Sequence, residues 1–279
     1  MTIAFSEIAN YAKNVESILS STNIFKRQEH QMTIAFSEIA NYAKNVESIL
    51  SSTKKTTLLI EQFRRDNETI ATWFKDVISG YLAQRGWFVA GSLSARQYQA
   101  LKDAIKKNNK AEIEDFMVQH VRSITKDTAS AVYAKWPRRQ AILADAFDAH
   151  SKKLYTLSVP VMLAQADGMA FDILGAYLFT GSKGKIGKKA KAMIEGKFKQ
   201  RPLAKSFLGL LIEPSGLRLS TEKLNKPKAE GLSGSPLNRH AVLHGIDCDY
   251  PKECNSLRAI ALINFLNWVH EITSEQNVP

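Results

Sequence analysis

The sequence predicts an all-α fold, a helical bundle, from three observations. Apolar residues recur at the spacing of a helix face, as in Ile70, Trp73 and Phe74. No stretch shows the alternation of apolar and polar residues that is typical of a strand. Pro137 and Pro160 stand where the first turn of a helix accepts a proline.

The composition bounds the class of protein. With 279 residues, 44% of them hydrophobic, the chain can form one large or two modest domains. The net charge of +11 favours nucleic acid, nucleotides or acidic membrane surfaces as partners, although a merely soluble basic protein would also show it. Two cysteines do not make a disulfide scaffold, so we expect a reduced, cytoplasmic setting. No secretory signal is evident, and no apolar run approaches the ~20 residues that cross a bilayer, so no membrane association is expected.

The N-terminus contains a repeat. Residues 1–22 and residues 32–53 are identical, letter for letter. Such identity indicates a recent duplication, or a cloning or sequence-assembly artefact, and not an old repeat array. One copy suffices for a core, so residues 1–31 are predicted to form a surplus helix on which function does not depend.

Residues 32–136 are predicted to form an N-terminal helical region. Ser94 is placed to cap a helix over residues 95–109, and a long amphipathic helix is expected over residues 110–136. Trp87 is expected to anchor a loop from below, and His120 to be a core histidine and not a ligand. Pro137 ends this region and opens a second domain, residues 137–279.

Residues 157–179 are the most apolar segment and are predicted to form a central buried helix. Gln165, Asp167 and Asp172 are conspicuous there, because carboxylates in apolar surroundings normally need partners. Two interpretations stay open. Either these side chains lie at a solvated edge, or Asp167 orients a guanidinium or an imidazole from another part of the chain.

Cationic and titratable side chains are concentrated in residues 238–245, NRHAVLHG. On a helix, Arg239, His240 and His244 are close enough for one turn to direct them at one small region. Arginine offers a planar fork of donors suited to phosphate, and histidine can take and return a proton near neutral pH. Together they are suited to phosphodiester chemistry without a metal.

The segment RHAVLHG resembles the signature of the HEPN superfamily, in which an arginine is followed by a polar residue, three further residues and a histidine. Residues 149–175 and 249–272 resemble the helices that pack around this signature in uncharacterised prokaryotic members, so the resemblance covers roughly the second half of the chain. It implies an HEPN-like helical domain and a metal-independent endoribonuclease without cofactor. The 2′-OH would attack the adjacent phosphorus of single-stranded or loop RNA and leave a 2′,3′-cyclic phosphate.

The resemblance also implies residue roles. His244 would transfer the proton, Arg239 would stabilise charge on the phosphorus oxygens, and His240 would orient the others or contact phosphate. Asn238 is a supporting candidate, and Asp167 is expected to face this region. A homodimer with a shared basic cleft is implied, in prokaryotic defence or a toxin–antitoxin system with an antitoxin or regulatory protein as partner.

Between the central helix and the signature lies a basic run, with nine Lys or Arg residues and one acid between Lys183 and Lys205. Its glycines lack the context of a phosphate-binding P-loop. A solvated face and a patch that follows the RNA backbone explain the run equally well. The candidate RNA-binding residues are Lys183, Lys185, Lys188, Lys189, Lys191, Lys197, Lys199 and Arg201.

Two other interpretations compete with the ribonuclease. His240, His244, Cys248 and Cys254 have the ligand types and number of a tetrahedral zinc site, although the spacing fits no common module. The second alternative is a non-catalytic HEPN-like module that binds RNA, nucleotide or a partner protein without cutting.

Overall fold

The computed structural model describes residues 10, 13–14, 26–89, 93–179, 185–198, 201–218 and 237–274, without the side chains of residues 26–38, 40 and 185. Of the surplus helix predicted for residues 1–31, only residues 10, 13–14 and 26–31 lie within this part of the chain, and residues 26–31 belong to the first long helix. All regular structure within the described residues is helical, and none of them lies in a strand. The prediction of an all-α fold is confirmed.

The described α-helices follow one another in chain order. They are α1 (Lys26–Trp73), α2 (Ser79–Gln84), α3 (Ala95–Lys106), α4 (Lys110–Lys135), α5 (Gln140–Ser151), α6 (Tyr155–Leu174), α7 (Lys185–Lys197), α8 (Pro202–Leu208), α9 (Arg239–Leu243) and α10 (Glu253–Ser274). A π-helical turn, Phe74–Ile78, joins α1 to α2, and short 3₁₀ turns follow α4 and α8. Ser94 caps α3 as predicted, in a capping box with Gln97.

The chain divides into two compact units, residues 1–65 and residues 66–279. In the first unit, α1 leaves large apolar side chains exposed, among them Tyr42, Ile49 and Phe63. The second unit contains the remaining helices and nearly all of the buried core. Pro137, where the sequence predicts a boundary, lies inside the second unit, and α4 and α5 on its two sides pack against each other.

Four helices form the centre of the second unit. α10 packs against α6 and α4, and α5 packs against the same two helices. α6, which the sequence predicts as a central buried helix, packs on α10 and α5. α10 is itself buried nearly all round between Asn255 and Val269. A helix surrounded in this way holds its neighbours at fixed positions.

α6 corrects the expectation that no apolar run approaches membrane-spanning length. Its 20 residues are long and apolar enough to cross a bilayer by length and composition alone. In the structure, residues such as Met162, Leu163 and Ala166 are buried against α5 and α10. The core helix of a soluble protein meets the same criteria, and the burial of these residues is that of a core helix.

A buried arginine ties α10 to the rest of the second unit. Only 2% of the Arg258 side chain is exposed, and it forms an ion pair with Glu114 of α4. Arg258 Nε donates to the carbonyl of Arg85 at 2.9 Å, and the guanidinium lies 4.4 Å from the centre of the Trp87 ring. Trp87 Nε1 also donates to Glu114, at 3.1 Å. One cation therefore holds α10, α4 and the loop after α2 together, with Trp87 buried under that loop as predicted.

A second polar contact lies between α5, α6 and α10. His150 Nδ1 is 2.7 Å from Ser256 Oγ, and Ser158 Oγ is 2.9 Å from the same atom. Burial lowers the pKa of His150, an effect that Glu253 opposes and Arg122 reinforces. Burial also lowers the pKa of His120, which is a core histidine as predicted.

These two histidines predict acid sensitivity. In the unfolded chain their pKa values return to about 6.5, so below that pH the unfolded state binds protons that the folded state does not. The two neutral histidines therefore make their full contribution to the free energy of unfolding above pH 6.5. This contribution is lost as the pH falls toward the lowered pKa values of the folded state. Urea unfolding at pH 7.5 and pH 5.5 should therefore give a lower free energy of unfolding at pH 5.5. The variant His150→Gln should show a shallower pH dependence, and equal slopes for the two proteins would contradict this account.

The Arg258–Glu114 pair predicts a non-additive effect. Glu114→Ala leaves a buried guanidinium without its carboxylate and should lower the free energy of unfolding by about 2–3 kcal/mol. This is below the cost for a fully buried pair, because 31% of the Glu114 side chain is exposed. The double variant Glu114→Ala/Arg258→Met should recover part of the loss, measured by urea unfolding. Additive losses within about 0.5 kcal/mol would show that the two side chains are not coupled.

Candidate functional site

The NRHAVLHG segment forms a helix of a single turn, α9, with a cap at each end. Asn238 is the N-cap, and its Oδ1 accepts the amide hydrogen of Ala241 at 2.9 Å. Its Nδ2 donates to the carbonyl of Gly216 at 2.7 Å. Asn238, proposed from the sequence as a supporting residue, is thus buried and joins α9 to the 3₁₀ turn Gly216–Arg218.

Gly245 ends α9 just after His244. Its φ of +68° lies in the left-handed region that favours glycine. The amide of Gly245 donates to Val242 at 3.2 Å and the amide of Ile246 donates to Ala241 at 2.8 Å, the two hydrogen bonds of a Schellman motif. Gly245 therefore has a structural role, because it ends the helix with His244 at the C-cap.

Arg239 lies beside Asp167 of α6, as the sequence analysis expects for Asp167. Nη2 of Arg239 is 3.7 Å from Oδ2 of Asp167, and the two side chains are 21% and 10% exposed. This ion pair is longer than a hydrogen bond. Among the residues that the structure describes, the buried Nε of Arg239 has no hydrogen-bond partner. Asp167 therefore balances the charge of Arg239 without engaging all of its donors.

The main chain of Phe179 connects the other side chains of the site. Its amide donates to Asp167 Oδ1 at 3.0 Å, and its carbonyl oxygen lies 2.9 Å from Nε2 of His240. A carbonyl oxygen only accepts hydrogen bonds, so Nε2 of His240 must carry the hydrogen. The Phe179 ring lies below the Arg239 guanidinium, 5.7 Å from ring centre to Cζ. Asp167, Phe179, Arg239, His240 and His244 are called the Arg–His site below.

The two histidines of the site differ in accessibility. His240 is half-buried and held by Phe179, whereas His244 is exposed. Their rings are nearly parallel, with an interplanar angle of 10° and centres 6.0 Å apart. His244 is therefore the imidazole that a large substrate can reach, and the hydrogen bond of His240 favours the orienting role over direct contact with phosphate.

The other polar residues of α6 belong to a different cluster. Arg139 donates to Gln165 at 3.0 Å through Nη1 and to Asp172 at 2.7 Å through Nη2. Its guanidinium crosses α6 at Gly168, where an added Cβ would lie 2.5 Å from Nη1. Gln165 and Asp172 thus have a structural partner, and only Asp167 of the three reaches the Arg–His site.

The basic run includes α7, whose buried side consists of Ile186, Ala190 and Ile194, with Phe198 buried just after its last residue. The side chains of Lys188, Lys189, Lys191, Lys197 and Arg201 are exposed. Lys191 lies 3.8 Å from Glu195. Lys183 and Lys199 lie outside the described residues, as does the side chain of Lys185. An exposed basic side of a helix fits both a solvated face and a nucleic-acid contact, so both interpretations remain open.

The zinc interpretation is not supported by the positions of its four ligands. Among the described residues, which include His240, His244, Cys248 and Cys254, no three His, Cys, Asp or Glu side chains come together as metal ligands would. Cys248 is exposed and Cys254 is half-buried, and both are free thiols. His240 instead binds the carbonyl of Phe179, and the rings of His240 and His244 face each other.

The sequence does not reveal the contribution of Phe179, because it acts through backbone groups that every residue type except proline has. Asn238 and Gly245 carry a recognisable signal, since an asparagine before and a glycine after a short helix are typical caps. The single-turn helix α9 thus carries a guanidinium held near Asp167 at its start and an accessible imidazole at its C-cap.

Comparison of the chain with known proteins finds no matching family model, curated protein or solved structure.

The two hydrogen bonds of Asn238 predict graded effects on stability. Asn238→Ala removes the cap of α9 and the donor to Gly216, and it should lower the free energy of unfolding by about 1–2 kcal/mol. Asn238→Ser keeps a neutral side-chain acceptor for Ala241 and loses only the donor to Gly216, so its loss should be smaller. Urea unfolding of the three proteins checks this order. An unchanged stability of Asn238→Ala would contradict the capping role.

Proposed function

We propose that this chain is a metal-independent endoribonuclease of the HEPN type that cuts single-stranded or loop RNA. The observation that carries the proposal is the state of Arg239. Its charge is balanced by Asp167 at 3.7 Å, a separation longer than a hydrogen bond, and 21% of its side chain is exposed. A guanidinium held in this way can donate to a phosphate oxygen without first breaking a strong bidentate pair.

The proposed reaction needs two proton transfers and no water. The 2′-oxygen of a ribose forms a bond to the adjacent phosphorus while the bond from phosphorus to the 5′-oxygen breaks. His244, exposed at the end of α9, removes the proton of the 2′-OH and, as an imidazolium, returns it to the departing 5′-oxygen. The products are a 2′,3′-cyclic phosphate and a 5′-OH, so atoms and charge balance.

The other residues have supporting roles in this proposal. Arg239 stabilises the negative charge that grows on the non-bridging oxygens, and Asp167 positions Arg239. His240, fixed on the Phe179 carbonyl at 2.9 Å, keeps the stacked His244 ring in orientation. The exposed lysines of α7 contact the RNA backbone on either side of the cut.

RNA without paired strands is the proposed substrate, because an A-form duplex restricts the in-line approach of the 2′-OH and hides its bases. Each chain supplies one arginine–histidine pair, and the family resemblance implies a homodimer that brings two pairs to one cleft. By the same resemblance we propose a cytoplasmic role in prokaryotic defence or in a toxin–antitoxin system, with an antitoxin or regulatory protein as partner.

The proposal predicts the outcome of an RNA cleavage assay in EDTA. The wild type should cut unstructured RNA and leave 2′,3′-cyclic phosphate and 5′-OH ends, identified by mass spectrometry. His244→Ala and Arg239→Ala should each cut at least about 100-fold more slowly, because one removes the proton acceptor and the other the charge stabilisation. Arg138→Ala, which removes an exposed arginine elsewhere on the second unit, is the control and should cut like the wild type.

The assay also separates the alternatives. RNA binding without cutting by the wild type, unchanged in His244→Ala and Arg239→Ala, would support a non-catalytic binding module. Cutting at an equal rate by the wild type and both variants would refute the assignment of the site.

A further inference from the structure

Two aromatic side chains form an exposed stack on the second unit. The rings of Phe171 and Tyr177 have centres 4.5 Å apart and an interplanar angle of 22°. Phe171 is 42% exposed and Tyr177 is 46% exposed. No other phenylalanine, tyrosine or tryptophan among the described residues of this unit is exposed to this degree. The unit thus buries or half-buries its aromatic residues except at this one place.

The aromatic pair lies next to the Arg–His site. Phe171 is four residues after Asp167 on α6, so the two side chains lie on the same face, one turn apart. Gly175, with φ of +64°, ends α6 and turns the chain back, which brings Tyr177 onto Phe171. Two residues later, Phe179 binds Asp167 and His240 through its main chain. The same short segment therefore carries one ring of the pair and the framework of the site.

The chemistry of the surroundings indicates what covers the rings. An apolar protein surface as partner would be expected to meet an apolar rim, whereas here Asp167, one turn before Phe171 on α6, lies 3.7 Å from the cation Arg239. α7, with its exposed lysines, also packs against α6. Flat rings beside positive charge are the combination with which proteins bind single-stranded nucleic acid, since bases stack while the backbone is neutralised.

We propose that Phe171 and Tyr177 form a stacking site for an unpaired nucleobase next to the phosphate held by Arg239. The inference rests on the proposed function, because it takes the Arg–His site as the place of the phosphate. The substrate is then a strand whose bases are free to turn outward. Its binding depends on contacts to a base as well as on the charge of the backbone. Stacking accepts every base, so a preference for large bases is expected without recognition of a particular sequence.

The test measures binding without cutting. A fluorescent RNA decamer with 2′-O-methyl groups at every ribose cannot be cleaved, and a matched decamer contains abasic positions at its centre. The wild type should bind the normal decamer about tenfold more tightly than the abasic one in fluorescence anisotropy. Phe171→Ala and Tyr177→Ala should weaken binding of the normal decamer and abolish this difference, whereas Phe171→Tyr and Tyr177→Phe should retain it. Ile142→Ala, which removes an exposed apolar side chain elsewhere on the unit, is the control.

A measurement on the wild type alone guards against variants that fail to fold. A 2-aminopurine placed in the decamer should lose fluorescence on binding as it stacks on the rings. No quenching, or equal binding of the normal and abasic decamers by the wild type, would overturn the stacking site whether or not the protein cuts RNA. Base-dependent binding without cleavage of unmodified RNA would instead support the stacking site and refute the proposed ribonuclease.

Discussion

The burial of Arg258 is the constraint on which the second unit depends. A guanidinium in the interior is tolerated only when its charge is balanced and its donors are engaged, and Glu114, the Arg85 carbonyl and the Trp87 ring supply these contacts. Because these partners come from α4 and from the loop after α2, they fix α10 against both. α10 in turn packs on α6, the helix that carries Asp167. The position of the Arg–His site thus follows from a core arranged around one buried cation.

The Arg–His site lies where a short helix meets the end of a long one. α9 contributes Arg239 and His240, and its caps leave it only one turn long. α6 contributes Asp167. Phe179 links the two helices because its amide donates to Asp167 of α6 and its carbonyl accepts from His240 of α9. Such an arrangement holds the Arg239 guanidinium and the His240 imidazole on rigid supports, while His244 stays accessible.

Local patterns predicted much of this architecture and little of its polar contacts. Apolar periodicity located the long helices, and the cap at Ser94 was predicted correctly because the residues that form it are close in sequence. The pairing of Arg139 with Asp172 joins residues 33 positions apart, and no local pattern specifies it. α7 was not predicted as a helix, since its charge run obscured an apolar residue at every fourth position. α10 is buried on more sides than the more apolar α6, because burial depends on which helix has neighbours on every side.

The dependence of the site on the Phe179 backbone has a consequence for mutagenesis. A scan that truncates side chains leaves every peptide group in place, so it would register Phe179 as a packing residue and miss its two polar bonds. Replacement of the 178–179 peptide bond by an ester, through chemical ligation or nonsense suppression, removes the N–H that Asp167 accepts and leaves the ring untouched. Backbone editing of this kind is the approach that can reach the centre of the site.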